Sequence, residues 1–530
     1  MLRDFPLFFA LRLAAALTIA TYFQPDEFWQ ALEPAHTLVY GYGYLTWEWR
    51  RGLRSIVHPV LFAGAYKLAD VLNLGDAGVV YAPKVLQAVF AALTDCGTVA
   101  LAARVFGGED MRAATKVCVV FSAFTYFVGV RTFSNSVEST LCVVALQYWP
   151  LAGGAKLNTR KYAIALLFAA CACVLRPTNV LIWTYLAAHL LLRTPLQRTA
   201  LLCVLVPAVL VGAGILSLNI LIDSAYYGRP TFTLLEFVRF NVLDSLSSFY
   251  GENRQWYYLV EALPQLLTVY LPFGLHGWYM SLSQQWSAVE CKRNGEGARI
   301  LAGIVLFVIF AYSMVTHKEV RFIFPMLPIL LIFSARSLLH LRILSSTTLP
   351  ARPRLQFLFF AAIALINIPL TFYACYIHQR GVIDVTHYIR AHAATNEITS
   401  VGFLMPCHST PWMSHMHAPN ITAWFLTCEP PPATVDMASY LDEADIFYAD
   451  PAVFLAQNFP AVQCDANDMA SSADYKFEWP SHLIFFAALQ DTIAEYVGSA
   501  YVHETRFFNS HVHEDARRRG DVVVYRRTCI

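Results

Sequence analysis

Long apolar runs broken by short polar clusters dominate the chain up to about residue 377, and a mixed pattern follows. Runs close to the ~20 residues that cross a bilayer fall at about 5–23, 79–103, 113–130, 137–152, 161–175, 177–192, 199–222, 257–280, 300–316, 322–339 and 355–377, which predicts eleven spanning helices. The first run resembles a signal peptide in length but has no clear small-residue cleavage site, so a retained helix is expected. Within residues 24–78, Glu27 to His36 and Pro59 to Leu72 follow a helical period, the latter with Lys67 and Asp70 on one face. Such segments are expected to lie in the membrane interface. From His378 onward the strand-like runs Ile446–Tyr448, Leu483–Phe486 and Val522–Tyr525, a turn at Glu429–Pro432 and helical stretches between them predict a mixed α/β unit. The expected architecture is therefore a polytopic α-helical membrane domain over 1–377, with a loop at 24–78, followed by a soluble α/β domain over 378–530.

Composition agrees with a membrane protein. Hydrophobic residues make up 57% and charged residues 14%, with a mean hydropathy of +0.47, where soluble proteins carry about a quarter charged. A net charge of +1 gives no reason to expect a nucleic-acid partner. Loop charge sets the orientation. With Arg3 in the cytosol, the clusters Arg104/Arg112/Lys116, Lys156/Arg160/Lys161, Arg193/Arg198, Lys292/Arg293/Arg299 and Arg342/Arg352/Arg354 all fall on the cytosolic side. The 24–78 loop, the 223–256 loop and the tail then face the other side, the lumen in a eukaryotic cell. The sequon Asn420-Ile421-Thr422 agrees with that placement. The cysteines show no zinc spacing. Cys407, Cys428, Cys464 and Cys529 lie in the tail, where an oxidising lumen permits one or two disulfides whose pairing the sequence leaves open.

The densest candidate chemistry lies between Gln24 and Pro59, where the acids Asp26 and Glu27 sit among Trp29, Trp47 and Trp49. Aromatic faces stack on sugar rings and an ionised acid takes a proton from a hydroxyl. The plainer alternative is an interfacial aromatic belt with an ordinary helix start after Pro25. Arg131 in RTFSNSVES, Arg176 in LRPTN, and His317, Lys318 and Arg321 in HKEVRF are expected on the same side as Asp26, at helix ends where they would converge on one cleft. Arginines there bind phosphate through charge-assisted bonds. The competing reading is an internal salt-bridge network or snorkelling to the interface. The run PCHSTPWMSHMH offers His408, His415 and His417, with His511 and His513 elsewhere, but no acidic partner at a motif spacing, and a structural loop is expected rather than a metal site.

The segments PDEFWQALEPAH, YGYGYLTWEW, RS-x-x-HP, RTFSNSVE and HKEVRFIFP, in that order, resemble the signatures of the GT-C mannosyltransferases of glycosylphosphatidylinositol (GPI) and N-glycan assembly, glycosyltransferase family 22. The tail segments MPCHSTPWMSHMH, YLDEADIFYADP and FFNSHVHED resemble the branch that adds the third GPI mannose. Gln24 stands where several relatives carry His, which puts a role for that side chain in doubt. The resemblance implies a GT-C fold, an endoplasmic-reticulum location, dolichyl phosphate mannose as donor and a mannosylated GPI precursor lipid as acceptor. It puts the catalytic acid on the Asp26–Glu27 pair. The donor phosphate is then expected on Arg131, Arg176, His317, Lys318 and Arg321, and Trp47, Glu48, Trp49, Arg54 and His58 are the substrate-binding candidates. No cofactor or metal is expected, because phosphate leaves readily and the lumenal segments hold no Asp-x-Asp pair. The rival readings are an N-glycan enzyme of the same family and a polytopic lipid or sugar transporter. The two similar halves usual in transporters are not apparent in the sequence.

Overall fold

The computed structural model describes residues 2–151, 157–240, 251–283, 295–347, 349–431, 440–462 and 475–528. Lys156, Lys292, Arg293, Pro432, Cys464 and Cys529, all singled out in the sequence, lie outside them. The chain forms two compact units: one of Met1–Thr18, Glu48–Ala65 and Tyr81–Phe372, the other of Ile19–Trp47, Tyr66–Val80 and Tyr373–Ile530.

The first unit is helical. Among the described residues of the whole chain, six helices are long and apolar enough to cross a membrane: Gly75–Phe106, Arg198–Tyr227, Tyr258–Leu282, Gly295–Ser313, Val320–His340 and Pro353–Ala394. Other predicted spans appear as shorter helices, Phe5–Thr18, Gly108–Val120, Ser134–Tyr148, Thr159–Leu175 and Val180–Arg193. Proline sets one of these breaks. Arg176 precedes Pro177 and is extended (φ −139°, ψ 103°), as a residue before proline prefers, so Thr159–Leu175 ends there and Arg176 is left in the turn.

Two contacts show what holds these helices. Arg12 of Phe5–Thr18 donates from Nε to Asp95 of Gly75–Phe106 at 2.7 Å, and both side chains are fully enclosed. Gly277 of Leu271–Leu282 lies so close to Leu327–His340 that a Cβ there would overlap the Phe333 carbonyl oxygen. Arg198–Tyr227 is different: its window of highest hydropathy is only 6% buried, which leaves an apolar surface suited to lipid.

The second unit is built on a five-stranded sheet of order β2-β1-β3-β5-β4, with β1 Ser400–Leu404, β2 Thr422–Phe425, β3 His482–Phe486, β4 Tyr501–Ser510 and β5 Gly520–Arg527. β1 runs parallel to β2 and β3, whereas β5 is antiparallel to β3 and β4. The strands predicted at Leu483–Phe486 and Val522–Tyr525 are β3 and β5, which pair Ile484 with Val524. The run Ile446–Tyr448 is not a strand. It lies inside the helix Glu443–Ala449, because the Asp442 side chain accepts the Asp445 N–H and caps a helix start. Only Phe447 of the three is fully buried, packed in the core with Leu404, Phe454, Leu483 and Tyr525. The periodic segments of the 24–78 loop are helical as expected, Glu33–Tyr40 and Val57–Val71.

Candidate active site

Asp26 follows Pro25 at a helix start, where the Phe28 and Trp29 N–H groups both reach the Pro25 carbonyl at 2.9 Å. A carboxylate is favoured there by the exposed N–H groups of the first turn. Asp26 is half-buried and Glu27 is buried. The helix continues through a π-turn, Phe28–Leu32, into Glu33–Tyr40. Trp29 is 2% exposed: its ring meets those of His408, Trp412 and Phe425 at 4.5, 5.9 and 4.9 Å, and its indole N–H donates to the Thr410 carbonyl at 3.0 Å. This ring cements the loop to the PCHSTPW segment of the tail. His408, within electrostatic range of Asp26, is kept neutral, its pKa lowered to about 4 by burial and then by the Arg518 charge.

The tail histidines take separate partners. His36 Nδ1 faces the Tyr42 carbonyl at 3.1 Å, so it carries the proton, and Nε2 is left to accept from His417 Nδ1 at 2.9 Å. His415 is buried beside Phe28, with ring centroids 5.0 Å apart. Cys407 and Cys428 are joined by a disulfide, so their sulfurs are not free thiolates beside His408. Glu33, which the sequence reading passed over, is fully enclosed and accepts the Ser414 N–H at 2.7 Å. Burial raises its pKa to about 7, while burial lowers that of His36 to about 4.

These shifts predict opposing pH dependences of stability. His36 and His408 are depressed from 6.5 to about 4, so the native state binds fewer protons than the unfolded chain between those values and loses stability on acidification through that window. Glu33 is raised from 4.5 to about 7, so its cost appears as pH rises through that window. Over about pH 4.5–7 the wild-type chain should carry a stability loss from Glu33 that opposes the histidine gain, and melting curves of Glu33→Gln should lack that loss and rise more steeply with pH. An unchanged slope in the variant would exclude Glu33 as its source.

In the other unit, the basic residues divide by their partners. Arg131, Arg176, Lys318 and Arg321 are each at most 8% exposed. Arg131 donates from Nε to the Phe127 carbonyl at 3.0 Å and lies over the Phe127 ring. Lys318 donates to the Asn253 carbonyl at 2.9 Å, and Asn253 Nδ2 donates back to the Lys318 carbonyl at 2.8 Å. Arg176 and Arg321 instead share one ring, their guanidinium carbons 5.6 and 5.9 Å from the centre of Phe322. Arg321 donates to Glu319 at 2.6 Å and His317 Nε2 lies 3.2 Å from the same oxygen. Burial alone would raise the Glu319 pKa, but the Arg321 charge and the hydrogen bonds from His317 and Arg321 bring it down to about 2.

Among the substrate candidates in this unit, Glu48 accepts from Arg54 at 2.6 Å. Trp49 and His58 are buried, as is Trp47 in the other unit. Burial, then the Arg176 charge, lowers the His58 pKa to about 3, so the ring is neutral. Arg54 and Arg176, far apart in sequence, line one narrow cleft with Ser55, Pro177, Thr233 and Phe237. One wall of this cleft is fixed by Asp223, a second acid absent from the sequence reading. It is fully buried and accepts from Ser55 Oγ at 2.9 Å, the Ile56 N–H at 3.0 Å, Asn219 Nδ2 at 2.9 Å and Thr233 Oγ1 at 2.7 Å.

Membrane helices joined to an α/β tail give the chain the GT-C fold. ArnT from Cupriavidus metallidurans, solved with undecaprenyl phosphate bound, superposes with a TM-score of 0.57 over 98% of this chain and 96% of its own, at 11% identity. An oligosaccharyltransferase from Archaeoglobus fulgidus gives 0.51 over 95% of this chain and 73% of its own, also at 11% identity. The chain belongs to the Alg9-like mannosyltransferase family, which it matches over residues 5–417. It is 43% identical to GPI mannosyltransferase 3 of Yarrowia lipolytica, over 97% of this chain and 95% of that one. It is 35% identical to the human GPI alpha-1,2-mannosyltransferase 3, over 98% and 86%. The chain is thus a mannosyltransferase, and the transporter reading falls away.

Proposed function

We propose that this chain adds the third mannose, α1,2-linked, to the GPI precursor lipid, taking it from dolichyl phosphate mannose on the lumenal side of the endoplasmic reticulum. The observation that carries this reading is end-to-end similarity, tail included, to relatives named GPI mannosyltransferase 3. Against the N-glycan alternative, the tail segments around PCHSTP resemble the GPI branch.

The donor is β-linked and the product α-linked, so one in-line displacement with inversion suffices. The acceptor hydroxyl oxygen attacks the anomeric carbon, the bond to the phosphate oxygen breaks, and dolichyl phosphate leaves. Asp26 takes the hydroxyl proton as general base. Glu27, on the next position of the helix and pointing about 100° away, orients the acceptor or Asp26. Arg176, Arg321 and His317 stabilise the departing phosphate, while Arg131 and Lys318, bound to main-chain carbonyls, hold the segments that carry them. Trp47, Glu48, Trp49, Arg54 and His58 remain the substrate-binding candidates, of which Arg54 lines the cleft that Arg176 also lines.

Expression in cells blocked at the third GPI mannose tests the assignment. Surface GPI-anchored proteins should return and the accumulated two-mannose lipid should disappear. Persistence of that lipid with a correctly located chain would refute it.

A further inference from the structure

One buried acid in the helical unit has no part in the displacement just described. Glu138 is 2% exposed, on the helix Ser134–Tyr148. Its Oε1 accepts from Asn179 Nδ2 at 2.7 Å, and its Oε2 accepts from Asn135 Nδ2 at 3.2 Å and lies 4.0 Å from Arg176 Nε. The same Asn135 amide donates to the Arg321 main-chain carbonyl at 3.1 Å. Trp183 Nε1, which can only donate, reaches Asn179 Oδ1 at 2.6 Å and thereby fixes that amide with its NH₂ toward Glu138. One carboxylate thus gathers three separate segments: its own helix, the turn after Arg176 and the segment beginning at Val320.

We propose that Glu138 is the positioning residue of the donor-phosphate site: its charge, 4.0 Å from Arg176 Nε, steers that guanidinium, and through Asn135 it anchors the Arg321 main chain, so that both guanidinium groups stand over Phe322. This rests on the reading that Arg176 and Arg321 bind the donor's phosphate. The chemistry requires an ionised acid of this length. Both flanking amides present N–H donors to it, so a glutamine in its place meets a donor with a donor in either orientation of its own amide. A glutamine also removes the negative charge beside Arg176, whose guanidinium is then free to adopt other rotamers. An aspartate keeps the charge but is one methylene too short to satisfy both amides.

The test uses the full-length chain in detergent, with donor and acceptor varied separately and dolichyl phosphate as a competitive inhibitor. Glu138→Gln should raise the donor KM and the inhibitor Ki together by about tenfold and lower the melting temperature, with the acceptor KM and kcat within about twofold of wild type. Glu138→Asp should recover part of the loss. Asn135→Ala, which cuts only the link to Arg321, should give a smaller rise in the same two constants and serves if Glu138→Gln does not accumulate. Unchanged donor KM and Ki would overturn the proposal, as would donor and acceptor KM rising together. Arg176→Lys and Arg321→Lys separate the levels. If they leave donor KM unchanged, the phosphate site itself is misassigned; if they raise it and Glu138→Gln does not, only the role of Glu138 fails.

Discussion

Replacing Asp26 with asparagine is expected to leave the chain folded and in the membrane but to abolish mannose transfer, with a loss of about 10²–10⁴ or more in rate. The substitution is nearly isosteric at a helix start, and asparagine is tolerated there as well as aspartate, so stability should hardly move. The chemistry has no such tolerance. An amide cannot accept the acceptor's proton at neutral pH, and the attacking oxygen would carry a positive charge into the transition state. Microsomal transfer from dolichyl phosphate mannose checks this, with protein level and thermal melting measured on the same preparation. Near-normal transfer by Asp26→Asn would remove Asp26 from the base role. Glu27→Gln separates the pair: as a positioning group it should retain measurable transfer with an altered acceptor KM.

The second large effect concerns stability. Arg12 and Asp95 form an enclosed ion pair between Phe5–Thr18 and Gly75–Phe106, and Arg12 also reaches the Val119 carbonyl at 3.3 Å. Breaking one side of such a pair leaves an uncompensated charge and costs ~3–5 kcal/mol, whereas replacing both by apolar groups of similar volume is often neutral or stabilising. Arg12→Met and Asp95→Leu should therefore each lower the melting temperature and yield in detergent, and the double variant should recover most of the loss. A double variant as unstable as the sum of the singles would show that the two charges act independently.

Much of this architecture is legible in the residue pattern. The apolar runs, the helical period of 27–36 and 59–72 and the strands at Leu483–Phe486 and Val522–Tyr525 are all local signals. The run Ile446–Tyr448 shows the limit: three apolar residues fit a helix or a strand, and the caps at Asp442 and Asp450 decide for helix. The disulfide shows another. Four tail cysteines allow several pairings, but β1 and β2 are parallel neighbours with Phe403 opposite Phe425, so Cys407 and Cys428, each three positions past its strand end, arrive together. That proximity depends on strand order, which spacing along the chain does not encode.

The basic residues were legible as a set because charge near a membrane helix is costly. Their division was not. Whether an arginine meets a carbonyl, as Arg131 does, or shares a ring and an acid, as Arg176 and Arg321 do, depends on segments more than a hundred residues apart in part of the set. Glu138 was visible only as the acid at the end of the RTFSNSVES run, with no role of its own, and Asp223 escaped: in isolation each reads as one acid in a helix, and only the folded chain supplies their amide and hydroxyl donors.

The most direct measurement is made on the purified chain, supplied with dolichyl phosphate mannose and a GPI precursor carrying two mannoses. The account predicts a three-mannose lipid whose terminal sugar is released by an α1,2-specific mannosidase, with no product on an N-glycan precursor. Extension of the N-glycan precursor instead, or no transfer from dolichyl phosphate mannose by folded, monodisperse protein, would contradict it.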